Sequence, residues 1–334
     1  MPADVTSRIA NALSLSGVSP TEQLLVAFSG GRDSVSLVEA LLRGGFNALT
    51  LTHLDHSLRP ESAAETVWVK NFALERSLDC VTGRIPVAEL AASLGKGFEE
   101  TARDARYEFF AKVALERSIS KIVLAHHADD QIETLIFRLL RGAGMEGLSA
   151  MAPQSRRQTD GFSFTLLRPM LAVWRTEIDA FIAKLGVSFL EDPSNAKHDF
   201  TRNRIRHVLI PEMENVMRRP VREALRRTAE VLRAETEFLT ATEHALGPLP
   251  ENLKVSDLKA LPLALRRRRV ARWLKRQGVP DISYDLVEAV VQLALRLNPS
   301  KVNLPKGAHA RRKAGLIFYE RPPLPDPPDH RSSP

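Results

Sequence analysis

The chain has 334 residues, 44% of them hydrophobic and 26% charged, which excludes global disorder and leaves room for two domains with a large core. No apolar run reaches the roughly 20 residues of a membrane helix, the N-terminal MPADVTSRIANALSLSG lacks the basic-then-apolar pattern of a secretory signal, and the single cysteine, Cys80, excludes disulfide frameworks, Cys-rich zinc sites and Cys-pair redox chemistry, so a cytoplasmic protein is expected. The net charge of +7 is unevenly spread: residues 1–210 carry 24 Lys and Arg against 25 Asp and Glu, whereas 211–334 carry 23 against 15.

In chain order, the first half alternates short β-rich apolar runs with helical patterns, the signature of a parallel sheet with crossover helices. Strands are predicted at Leu24 to Phe28, Ala48 to His53, Val81 to Ile85 and Ile122 to Ala125, and helices at 34–43, 61–77, 99–118 and 128–141. The last helix opens with Asp129 and Asp130, which suit the positive end of a helix dipole, and stops at Arg141 and Gly142. Phe98, Phe109, Phe110, Trp174, Phe181 and Trp68 sit among apolar neighbours and read as core. DPSNAKHDFT, Asp192 to Thr201, is dense in turn formers and reads as a loop.

Helical patterns then run over 203–245, interrupted by Pro211 and Pro220, and over 255–277 and 284–296, before a β-like ending at Val302 to Leu304 and Gly315 to Tyr319. The expected fold class is therefore α/β, a parallel sheet with flanking helices, followed by a mostly helical basic domain. The domains are placed at 1–212 and 213–322, with a Pro-rich, disordered tail at 323–334. The run Arg266, Arg267, Arg268, Arg269, Arg272, Lys275 and Arg276 suits a polyanion, and the charge asymmetry favours nucleic acid over a merely solvated helix face.

The first strand runs directly into Ser29-Gly30-Gly31-Arg32-Asp33-Ser34 and then a helix. Glycines allow a sharp turn that aims backbone N–H groups and a helix N-terminus at one point, an anion site. A carboxylate beside a polyphosphate is repulsive unless a divalent cation bridges them, so Asp33 points to nucleotide with Mg²⁺. Neither a Walker-type G-x-x-x-x-G-K-[ST] nor a G-x-G-x-x-G after the first strand is present. The SGGxDS loop resembles that of the N-type ATP pyrophosphatases, with the Rossmann-like PP-loop fold.

Further blocks narrow the resemblance: His53-Leu54-Asp55-His56-Ser57-Leu58-Arg59-Pro60; Gly97-Phe98-Glu99-Glu100 leading to Arg103, Arg106 and Tyr107; His126-His127-Ala128-Asp129-Asp130-Gln131-Ile132-Glu133; Arg168-Pro169-Met170; Glu191-Asp192-Pro193-Ser194-Asn195; and Arg202-Asn203-Arg204-Ile205-Arg206. In this order and spacing they resemble the tRNA(Ile)-lysidine synthetases, closely over about 20–210 and more weakly beyond 215, where Asn303-Leu304-Pro305-Lys306-Gly307 looks like part of the family's first C-terminal domain. The second C-terminal domain of longer members is expected to be absent.

The resemblance implies an ATP-dependent ligase. ATP adenylates the C2 oxygen of the wobble cytidine in the CAU anticodon of tRNA(Ile), and free L-lysine then displaces AMP. Ser29, Gly30, Gly31, Arg32 and Ser34 would hold ATP, and Asp33 would coordinate Mg²⁺. Arg106 would stabilise the adenylated intermediate; from its residues alone a surface ion pair with Glu99 or Glu100 competes equally. Asp130 and Glu133, three apart on a helix, share one face and would clamp lysine. The proton of the attacking amine would go to Asp130, Glu133 or the departing phosphate.

His53, Asp55, His56, His126 and His127 would line the pocket; a zinc site from these histidines and Asp129 is disfavoured for want of an H-x₃-H or Cys pairing. Arg202, Arg204, Arg206, Arg267, Arg268 and Arg269 are candidates for contacts to the tRNA backbone. Two alternatives are weaker. A 2-thiolation enzyme of the same superfamily needs more cysteines, and a non-catalytic RNA-binding protein would not keep Asp33, Arg106, Asp130 and Glu133 together. The oligomeric state stays open, a homodimer being one option.

Overall fold

A computed structural model describes residues 4–57, 62–159, 162–191 and 201–321. The sequence positions 58–61, the loop at 192–200 and the tail at 323–334 lie outside the described residues. The chain divides into two compact units, Met1–Arg233 and Ala234–Pro334.

The first unit begins with α1(Val5–Leu15), followed by β1(Leu24–Ala27), α2(Arg32–Arg43), β2(Leu49–Asp55), α3(Ser62–Glu75), β3(Asp79–Arg84), α4(Val87–Leu94), α5(Phe98–Glu116) and β4(Lys121–Val123). Then come α6(Ala128–Leu140), α7(Met145–Leu148), β5(Gln154–Thr159), β6(Phe162–Leu167) and α8(Arg175–Leu185). The six strands make one sheet in the order β3-β2-β1-β4-β6-β5. All neighbouring pairs are parallel except β5 with β6. β1 is fully apolar, with Leu24, Leu25 and Val26 buried and Ala27 half-buried, as suits a central strand covered on both faces. The hairpin β5–β6 escapes the sequence reading because QSRRQT on β5 is polar and only alternately half-buried, the pattern of an edge strand.

Helices α1, α2 and α8 pack with β1 and β2 through Ile9, Leu13, Leu37, Leu41, Ile178 and Ile182, joined by Val173 just before α8. α5 covers the other side of β1, β4 and β6 through Phe110, Val113 and Ala114. Of the aromatics read as core, Phe110 is buried, while Trp68, Phe109, Trp174 and Phe181 are half-buried and pack at the margins of these clusters. α9(Thr201–Arg204) passes through a π-helical turn, Ile205–Leu209, into α10(Ile210–Met217), and α11(Arg222–Ala245) follows. The unit boundary falls inside α11. Its first turns place Leu225 and Ala229 against Ile132, Ile136, Ile205 and Ile210, so contacts carry the first unit past the sequence-based division at 212/213.

The second unit holds the rest of α11, then β7(Leu253–Lys254), α12(Val255–Ala260), α13(Leu263–Arg276), α14(Tyr284–Leu295), β8(Lys301–Asn303), β9(His309–Lys313) and β10(Leu316–Glu320). Its four strands form an antiparallel sheet in the order β7-β10-β9-β8. Trp273, Val270, Val290, Leu293 and Ile317 fill the core. β9, HARRK, gives no apolar run for sequence reading to detect; Ala310 alone is fully buried on it.

Candidate active site at the carboxyl ends of the strands

In this sheet β1 is flanked by β2 and by β4, so the chain reverses its direction of winding at β1. Ligands of open α/β sheets bind where such a reversal leaves a crevice at the carboxyl ends of the strands. The SGGRDS turn follows β1 on one side of this crevice, and His126, His127 and the first turn of α6 follow β4 on the other.

Gly30 has φ +80°, a left-handed conformation, and a Cβ there would lie 2.7 Å from Leu190 Cδ1. Leu190 N–H donates to Gly30 O at 2.9 Å, so residue 190 presses the turn from outside. Ser34 Oγ donates to Gly31 O at 2.8 Å and stands 3.1 Å from Ser29 Oγ. Arg32 is engaged by Asp179 at 2.6 Å and lies over the ring of Phe189.

Asp33, in the first turn of α2, is bound by Arg175 Nη1, 2.9 Å from each carboxylate oxygen. Burial raises its pKa, against His127 and Arg175, which favour the charged form. His127 is buried, with Nε2 3.7 Å from Asp33 and 3.6 Å from Asp130, and Nδ1 3.6 Å from Asp129. Burial opposes its charge, but Asp129, Asp130 and Asp33 together outweigh it and raise its pKa. Asp129 is buried and ties three elements together: it accepts from Arg175 N–H at 2.9 Å and from Arg222 Nη1 at 2.7 Å, beside His127. These contacts overcome its burial and hold its pKa below the usual carboxylate value.

Asp130 Oδ2 accepts His127 N–H at 3.0 Å, capping α6, and Oδ1 lies 3.3 Å from Arg206 Nη2. Glu133 is buried, which raises its pKa despite the Arg206 Nε hydrogen bond at 2.5 Å. The two carboxylates thus do lie together, and Arg206 is spent on them rather than displayed for a phosphate backbone. Arg175, Arg222 and Leu190 have no signal in the motif blocks; each meets its partner across roughly 90–160 residues of chain.

Arg106 is exposed, and the protein around it, then the nearby cations Arg103 and Arg202, lower its pKa without discharging it. Neither Glu99 nor Glu100 pairs with it among the described contacts. Burial followed by Arg106 pushes His56 down to about 4, and burial also lowers His126, near Arg168, Arg106 and Arg202. Burial lowers the pKa of His53, whose Nδ1 lies 3.0 Å from Phe28 O, linking β2 to the residue after β1. Asp55 accepts Ser57 N–H at 2.7 Å at the end of β2. Among the described residues, no three His, Cys, Asp or Glu side chains converge as a metal-holding group. Arg202 and Arg204 are exposed.

In the second unit, Arg267 bonds Glu288 at 2.8 Å and Arg268 bonds Thr240 at 3.1 Å. Arg269, a sequence candidate for tRNA phosphate, is instead buried and donates to Glu243, Gly247 O and Pro248 O. Its burial and its three bonds to protein acceptors make it a structural residue rather than a guanidinium displayed for a ligand.

Burial pushes the Cys80 thiol up to about 11, leaving it protonated and a poor nucleophile near neutral pH. Among the described residues no helix is long and apolar enough to cross a membrane.

A left-handed glycine turn between a buried parallel strand and a helix, with an aspartate in that helix's first turn, defines a PP-loop domain, and the PP-loop domain model ATP_bind_3 matches residues 2–213. The TilS substrate binding domain model matches residues 253–318. The chain is 37% identical to tRNA(Ile)-lysidine synthase of Geobacter sulfurreducens over 90% of this chain and 66% of that protein. It is 35% identical to the Thermus thermophilus enzyme of the same name over 94% and 60%, and 32% identical to that of Thermosynechococcus vestitus over 92% and 88%. The chain belongs to the tRNA(Ile)-lysidine synthase family. It spans 66% and 60% of the first two of these relatives. Among solved structures, the U34-tRNA thiolase NcsA from Methanococcus maripaludis shares the fold at TM-score 0.56 and 13% identity, covering 68% of this chain and 78% of that one.

Proposed function

We propose that the protein makes lysidine: it adenylates the C2 oxygen of the wobble cytidine in a CAU-anticodon tRNA(Ile) with ATP and then joins free L-lysine to C2. The observation that carries this reading is the nearness of the SGGRDS turn to the head of α6, with His127 Nε2 3.7 Å from Asp33 and 3.6 Å from Asp130, in one unit of a chain from this family. One unit thereby offers an anion cradle and, next to it, paired carboxylates for a cation.

In the first step the C2 oxygen attacks the α-phosphorus of ATP and pyrophosphate leaves. The backbone N–H groups of Gly30 and Gly31 and the hydroxyls of Ser29 and Ser34 would cradle the phosphates at the head of α2. The Asp33 carboxylate beside the turn, held by Arg175 and close to His127, fits Mg²⁺, which keeps most of its shell for water and substrate phosphates and takes one or two protein carboxylates. Asp33 would hold it, and the ion would neutralise charge on the leaving pyrophosphate. Arg106, a charged guanidinium without a carboxylate partner among the described contacts, would face the adenylated cytidine.

In the second step the lysine ε-amine attacks C2, the C2–O bond breaks, and AMP departs with the oxygen. Asp130 and Glu133 would bind an ammonium group of the amino acid. The amine must shed a proton to react, and Glu133, whose burial raises its pKa, is well suited to take it. Arg202 and Arg204 on α9, with Arg267 and Arg268 in the second unit, would contact the tRNA backbone.

The test is incubation with total tRNA, labelled lysine and ATP, followed by digestion and identification of the nucleoside. Lysidine confined to an isoleucine tRNA supports the reading; ATP consumption without lysine transfer, or label on other tRNAs, refutes it.

A further inference from the structure

The carboxylates assigned to the amino acid already hold a cation. Arg206, on the π-helical turn Ile205–Leu209, bonds Glu133 Oε1 through Nε at 2.5 Å and reaches Asp130 Oδ1 through Nη2 at 3.3 Å. Glu133 is 4% exposed, so its end of the pair is sheltered from water and less open to the salt that weakens surface ion pairs. Asp130's other oxygen is committed to capping α6, accepting His127 N–H. Arg206 thus occupies one oxygen of each carboxylate, Oδ1 of Asp130 and Oε1 of Glu133, that an arriving ammonium would have to share or take over.

We propose that Arg206 is a resident competitor for the lysine clamp and thereby a specificity-determining residue. This rests on the reading of Asp130 and Glu133 as that clamp. One guanidinium serves both carboxylates at once, in a planar fork that a single ammonium cannot reproduce. A monoammonium amino acid that ejects Arg206 leaves one of two buried or half-buried carboxylates poorly matched. Free lysine, with two ammonium groups, brings the charge needed to replace it. Discrimination thus comes from what the incoming molecule must displace as well as from what it touches.

Calorimetric binding of L-lysine and of L-norleucine, which lacks the ε-amine, to the full chain and to Arg206→Gln, Arg206→Lys and Glu133→Gln tests this. Arg206→Gln should bind lysine about tenfold more tightly and gain still more for norleucine, so that the preference for lysine narrows; a merely structural arginine would not change that ratio. Arg206→Lys, a cation without the fork, should fall between. If lysine binds Arg206→Gln no more tightly than the parent while Glu133→Gln weakens it, the clamp stands and the competitor role is overturned. If Glu133→Gln binds lysine as the parent does, the clamp reading fails and takes this inference with it. Should Arg206→Gln fail the check of folding by circular dichroism, Arg206→Lys decides by the same criterion: no tightening overturns the proposal.

Discussion

A single guanidinium nitrogen of Arg175 lies 2.9 Å from both carboxylate oxygens of Asp33, joining the start of α8 to the first turn of α2. An asparagine at position 33 keeps an acceptor for that nitrogen but loses the charge a divalent cation requires. Asp33→Asn should therefore lower ATP-dependent pyrophosphate release by at least about a hundredfold, with thermal stability and tRNA affinity preserved. A loss of tRNA binding of the same size would make Asp33 structural.

Gly30→Ala puts a Cβ 2.7 Å from Leu190 Cδ1 on a residue with φ +80°. The methyl strains the backbone, by about 1–3 kcal/mol, and pushes the turn off residue 190. Urea unfolding should show that loss, and nucleotide affinity should fall with it. Unchanged stability would mean that the turn has another conformation available.

The acidic residues around His127 make stability pH-dependent. Asp33, Asp129 and Asp130 face the imidazole and raise its pKa above the ordinary 6.5. The folded state thus binds the proton more tightly than the unfolded one, and the resulting stability is fully present below pH 6.5 and lost as pH rises through the raised value. His127→Gln should lack this alkaline decline in urea unfolding measured across pH. Asp129 has the opposite sign: its lowered pKa contributes stability above 3.8 that disappears as pH falls, so Asp129→Asn should flatten the acid limb.

The arginines of α13 should separate into two kinds. Arg269 is 8% exposed and paired with Glu243, itself 3% exposed, so Arg269→Ala should cost about 3 kcal/mol of stability. Its effect on tRNA binding should not depend on salt. Arg267 and Arg268 are half-buried; replacing both by Gln should lower the slope of log affinity against log salt by about one unit per lost phosphate contact. An unchanged slope would confine their charge to the bonds with Glu288 and Thr240.

The glycine turn was legible because its chemistry is contiguous: strand, SGGRDS and helix follow one another without interruption. The same holds for the strands around it, whose apolar runs are long enough to read, and for the spacing that sets Asp130 and Glu133 on one face of α6. The hairpin β5–β6 and strand β9 were not legible, since their polar residues occupy edge or half-exposed positions where alternation is weak. Helices α1 and α8 also carry no motif, although Ile9, Leu13, Ile178 and Ile182 bury their faces.

Local order along the chain therefore determined the class of fold, the glycine turn and the placing of the acidic pair on one helix face, because each depends on neighbours within a few residues. Tertiary structure alone decided how those charges are balanced. Arg175 is matched to Asp33, Arg206 to Glu133 and Arg222 to Asp129 across 142, 73 and 93 residues of chain. No periodicity spans such distances; they close only when the sheet and its helices bring the groups together, partly shielded from water, where an unpaired charge is costly to leave.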